Sequence, residues 1–78
     1  MTEQASQAQS LQPHQQRVLE EKAQLDERIA KLSAFVETSV CRALDGSEQF
    51  DLHNQLNSME CYSAALGRRI ARFTGAAS

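Results

Sequence analysis

Tryptophan is absent and tyrosine and proline occur once each, in a chain with only two cysteines and three glycines. Each scarcity excludes something. Cys41 and Cys61 follow no apolar leader segment, so the sequence predicts ordinary thiols in a reducing compartment and no disulfide framework. His14 and His53 lie far apart and neither cysteine belongs to a C-x-x-C pair, so no metal site is expected. No apolar run approaches the roughly 18 residues that a membrane span requires. Ser, Cys, His and Asp all occur, but none stands in a G-x-S-x-G, H-E-x-x-H or Walker-type context. The residues therefore give no support to an enzyme and call for no cofactor. Strand alternation, internal repeats and a low-complexity core are also missing.

What remains is helical periodicity. The apolar residues Val18, Leu25, Ile29, Leu32 and Val36 are spaced seven, four, three and four apart. Counting position 22 restores a four-three alternation, the seam of one long helix packed at a shallow angle on another. Position 22 holds Lys22. A second seam runs through Leu52, Leu56, Met59, Leu66, Ile70 and Phe73, with one break at Ser63. Two matched seams on a short connection predict an all-α fold, an antiparallel hairpin of two long helices with a short connecting helix.

Pro13 suits the first helical position, where its missing N–H costs nothing. The first helix is expected to run to about Thr38, with Glu20 and Glu21 near its positive end. Glu27 and Lys31 form an i,i+4 ion pair on it. Hydroxyls in the stretch Glu37-Thr38-Ser39-Val40 compete with helical hydrogen bonds. A short turn of helix at Val40, Ala43 and Leu44 is expected to close the hairpin, ended by Gly46. Ser47 is the expected N-cap of the last helix, which runs to about Phe73 and stops before Gly75.

Residues 1–12, rich in Gln, Ser and Ala, are expected to be a loose arm, and residues 74–78 a flexible tail. The hairpin domain, residues 13–73, is then about 60 residues, where a single core is marginal by itself. With disulfides and metals set aside, the sequence predicts a homo-oligomer. Net charge is -2. No acidic residue follows Glu60, whereas Arg68, Arg69 and Arg72 crowd the last helix.

Lys22 is either a snorkelling lysine whose methylenes cover the seam, or a cation at a subunit junction held for an anion. Arg68, Arg69 and Arg72 are either a solvated, dipole-matched helix end or donor forks for phosphate. Tyr62 flanks the gap at Ser63 as a core or interface aromatic, or as a platform for a base.

Read together, the run Pro13-His14-Gln15-Gln16-Arg17-Val18 and the later Met59-x-x-Tyr62-x-x-x-Leu66-x-x-Arg69-Ile70, with Leu25, Ile29, Leu32, Phe35-Val36, Leu44 and Phe73, resemble a known pattern. The chain is similar to the small phage helical-hairpin family that includes the anti-CBASS and anti-Thoeris nucleotide sponges, over about Pro13 to Phe73. The resemblance implies a non-enzymatic phage protein in the host bacterial cytoplasm. It implies a homo-oligomer, a hexamer in the described cases, that holds cyclic nucleotide second messengers between subunits and so silences a host immune effector. The family's dinucleotide pocket uses an aromatic and a lysine that fall at Lys22 and Glu37 here, and both depart from the pattern. A carboxylate facing a phosphodiester is unfavourable. The family's trinucleotide pocket uses a hydroxyl and an arginine that fall at Ser39 and Arg69. The implied ligand-binding set is Ser39 and Arg69, with Thr38 and Arg68 beside them and Lys22 as a second cation, and a cyclic trinucleotide is favoured over a dinucleotide.

Two other readings stand beside this one. A helical hairpin with an exposed stripe also suits a module that docks a host protein. A helix-turn-helix about Gly46 is disfavoured, because its second helix opens on Glu48 and Asp51 where a DNA reader presents donors. No DNA or membrane partner is expected.

Overall fold

The computed structural model describes residues 11–75 of the chain, and the regular elements among them are three helices. Helix α1 spans Pro13–Phe35, α2 spans Ser39–Arg42 and α3 spans Gly46–Thr74. The two long helices pack against each other as a hairpin, and α2 bridges their joined ends. Most of the expected arm (residues 1–12) and of the expected tail (residues 74–78) lies outside the described residues; Gln12 caps α1 and Thr74 closes α3.

Helix α1 opens as Pro13 suggests, with Gln12 in extended conformation before it. The Gln12 carbonyl accepts from the Gln15 and Gln16 N–H groups at 2.9 and 3.0 Å, and the Gln12 N–H donates to Gln15 Oε1 at 2.8 Å. Two end groups that the helix ladder cannot use are thereby satisfied. The first turn carries no acid. Glu20 and Glu21 sit too far in to feel the helix dipole, which fades within a turn of the end.

The helix stops at Phe35, three residues short of the expected Thr38. The hydroxyl of Thr38 donates to the Phe35 carbonyl at 2.6 Å and accepts from the Cys41 N–H at 3.2 Å. One side chain thus closes α1 and caps α2, which is the competition anticipated for this stretch. Cys41 is fully buried beneath the turn. Gln49 braces the connection from α3, its amide donating to the carbonyls of Leu44 at 2.7 Å and Arg42 at 3.2 Å.

The start of α3 departs from expectation. Asp45, not Ser47, is the N-cap, and its carboxylate accepts from the Glu48 N–H at 2.9 Å. Gly46 begins α3 rather than ending α2. Asp caps as well as Ser does and adds a negative charge at the positive helix end, so the earlier cap extends the helix. At the far end Gly75 adopts φ 77, the left-handed conformation that glycine takes without a Cβ clash.

Burial follows the two seams. Val18, Leu25 and Leu66 form the buried cluster, with Ile29, Met59, Ile70 and Phe73 packed half-buried against it. Among the described residues only Leu66 and Cys41 are fully enclosed. Two helices side by side leave most seam residues open on one flank. Full burial of one leucine contributes roughly 1.5–3 kcal/mol, and this fold has few such residues.

Candidate ligand-binding surface

The two seam interruptions face each other. Lys22 on α1 donates from Nζ to Ser63 Oγ on α3 at 2.9 Å and to Asp26 Oδ2 at 2.8 Å. The Ser63 hydroxyl donates in turn to Asp26 Oδ1. Ser63 is buried while Lys22 and Asp26 keep part of their surface in water. The Lys22 and Ser63 hydrogen bonds, reinforced by the Lys22 charge, hold the Asp26 carboxyl below its ordinary value of 3.8. Lys22 is therefore engaged inside its own chain. Its stem also lies against α3, where a Cβ on Gly67 would come within 3.4 Å of Lys22 Cε.

A second bridge lies one residue earlier on each helix. The Tyr62 hydroxyl donates to Glu21 Oε2 across the hairpin. Tyr62 nonetheless leaves 46% of its surface exposed. The bond fixes the ring at the mouth of the groove between the helices, neither in the core nor free.

The implied ligand residues fall into two groups. At the closed end, Thr38 is used by its two capping bonds, whereas Ser39, the first residue of α2, is exposed and its hydroxyl makes no bond within the described residues. At the open end, Arg68 and Arg69 are exposed, and neither has a hydrogen bond or ion pair among the described residues. The structure does not bring Ser39 and Arg69 together in one copy. Gln49 marks the level of α2 by its bonds to that turn. From Gln49 to Arg69 is about 30 Å of helix at roughly 1.5 Å per residue.

Sequence reasoning passed over Asp26. The signal was present as Lys22 and Asp26, an i,i+4 pair beginning at the seam break. It also missed the Glu21–Tyr62 bridge, which needs the register of two helices and leaves no mark in either alone. Large apolar surface remains on the outside: Val40 is 62% exposed and Phe50 66%. No helix among the described residues is long and apolar enough to cross a membrane. Among those residues no group of three His, Cys, Asp or Glu side chains gathers as for a metal ion.

Comparison with known proteins adds one finding. The model of the family described as Sequestin matches residues 12–72, which takes in α1, the turn and nearly all of α3. No curated protein and no solved structure matches the chain. The chain belongs to the Sequestin family, the nucleotide-sequestering phage anti-defence family whose hairpin pattern its sequence resembles.

Proposed function

We propose that this Sequestin protein is a non-catalytic sponge that withholds cyclic oligonucleotide second messengers, cyclic trinucleotides above dinucleotides, from a host defence effector in the bacterial cytoplasm. The ligand lies between copies of the chain, in a homo-oligomer that we take to be a hexamer. Ser39 supplies a hydroxyl and Arg69 a guanidinium to the phosphates, with Arg68 beside it. Lys22 and Thr38 stand behind these donors, one joining the helices and the other shaping the turn that presents Ser39.

The observation that carries this reading is the separation of the two free donors. Ser39 and Arg69 lie at opposite ends of one hairpin, and neither side chain has a partner among the described residues. A single copy cannot lay both on one small ring. Copies packed head against tail can, and a three-phosphate ring suits donors repeated about an axis. The thin core and the exposed Val40 and Phe50 give such copies apolar surface to cover. Glu37 is exposed beside the turn, where its carboxylate opposes a dinucleotide phosphate.

Native mass spectrometry with and without a mixture of cyclic di-, tri- and NAD-derived nucleotides tests both parts. The expected result is a six-copy mass that gains the mass of cyclic trinucleotides. An oligomer that binds none of them refutes the sponge. The exposed Phe50 also suits a module docking a host protein. That reading is favoured by a monomer or dimer which retains one host protein and no nucleotide.

A further inference from the structure

We infer that Arg17 and Tyr62 belong to the same ligand site as Arg69, with Tyr62 stacking on a base and the two arginines sharing a phosphate. The inference rests on Arg69 being a phosphate donor, and it adds two residues that the implied ligand-binding set does not include.

The Glu21–Tyr62 bond marks one flank of the groove between the long helices. Arg17 lies four residues before Glu21, on the same face of α1. Arg69 lies seven residues after Tyr62, two turns along the same face of α3. The helices run in opposite directions, so both steps lead toward the open end. Tyr62 to Arg69 is about 10 Å of helix, and Arg17 stands between them in height on the facing helix. Packed helix axes lie about 8–10 Å apart, a gap that two arginine side chains reaching inward can close on one anion.

The electrostatics agree with this geometry. Arg17, Arg68, Arg69 and Arg72 are all exposed, and none has a hydrogen bond or ion pair among the described residues. Residues 11–19 and 61–75 contain no acid. The nearest carboxylate on this flank, Glu21, is engaged by Tyr62. Guanidinium groups gathered at one end of a narrow hairpin repel one another where screening is incomplete, within a Debye length of about 8–10 Å. A phosphate relieves that repulsion and takes two forks at once. The Tyr62 ring, half exposed and held by its hydroxyl, offers a face to whatever is attached to the phosphate. An aromatic base fits that face. A lone inorganic phosphate uses the arginines only.

Tyr62 is the single tyrosine of a chain without tryptophan, so its fluorescence reports the site directly. The test is titration of the full chain with cyclic triadenylate, following tyrosine emission, with the native mass of each variant measured alongside. The ligand is expected to quench Tyr62, and Arg17→Ala to raise Kd roughly tenfold or more with no change in subunit count. Arg17→Lys is expected to recover only part of the loss, since an ammonium lacks the planar fork. Arg28→Ala, on the same helix beyond Glu21, is expected to stay within about twofold of the parent. Binding by Arg17→Ala within about twofold of the parent overturns the inference and leaves the sponge intact. Binding by the parent without any change in Tyr62 emission removes the stacking. A parent chain that binds no cyclic oligonucleotide refutes the proposed function and this site with it.

Discussion

Replacing Ser63 and Lys22, singly and together, separates what the seam interruption does for folding from what it does for a ligand. Ser63 is 7% exposed, accepts from Lys22 at 2.9 Å and donates to Asp26. A hydrogen bond to a charged group is worth roughly 1.5–3 kcal/mol when buried. Both partners here are partly in water, at 29% and 47% side-chain exposure, and water replaces part of what is lost. The Lys22–Asp26 pair also survives the change. Ser63→Ala is therefore expected to cost about 1 kcal/mol, or about 4–8 °C in Tm for a chain of this size. Lys22→Leu completes the seam of α1 with an apolar side chain and leaves Ser63 still bonded to Asp26, so a gain of about 1 kcal/mol is expected. In the double variant the Ser63→Ala cost is expected to shrink, because the buried hydroxyl then has one partner fewer to lose. Urea midpoints followed by circular dichroism, at one fixed protomer concentration, give all four corners of the cycle. A loss of more than about 2 kcal/mol for Lys22→Leu refutes the assignment, because an intrachain polar bridge at a half-exposed seam cannot be worth that much. Cyclic trinucleotide binding by Lys22→Leu at full stability then tells whether Lys22 is only part of the frame.

Three further outcomes follow from the bridge, the α3 cap and Gly67. Because the folded Asp26 carboxyl titrates below its unfolded value of 3.8, its contribution is complete above that value and is lost as pH falls through the lower folded one. Asp26→Asn is therefore expected to flatten the acid limb of stability against pH below about 3.8, with little change in slope above about 5, as measured by urea midpoints; an unchanged acid limb counts against the bridge. Asp45→Ala is expected to cost about 1 kcal/mol and Ser47→Ala less than about 0.5 kcal/mol, and equal losses in thermal melts contradict the assigned cap. Gly67→Ala removes a flexible residue from the interior of α3, and its Cβ meets only Lys22 Cε at 3.4 Å, an ordinary contact distance, so a gain of roughly 0.5–1 kcal/mol in urea is expected. A loss there means that something closer than Lys22, such as another copy's backbone, needs the gap.

Much of the hairpin was legible because the seam period is a property of each helix alone. Val18, Leu25 and Val36 are buried and Ile29 and Leu32 half-buried, as their spacing requires, and α3 repeats this through Leu56, Met59, Leu66 and Ile70. Pro13 marked one outer end because its fixed φ and missing N–H suit the first turn, and Gly75 the other because it takes the left-handed conformation freely. The turn was less legible. Asp45 and Ser47 are both favoured caps, and the chain's path from α2 decides which one sits in extended conformation before the first helical bond.

Within the candidate site the divide is sharper. The sequence by itself determined that two seams exist, that each is broken once by a polar residue, and that arginines without acids crowd the end of α3. It did so because periodicity, side-chain polarity and charge are local properties. Only the tertiary structure decided that the two breaks meet as Lys22, Ser63 and Asp26, that Glu21 holds Tyr62, and that Ser39 and Arg69 stand about 30 Å apart along the hairpin. Those outcomes depend on the register between antiparallel helices, and register is set by the whole interface rather than by any stretch of chain within it.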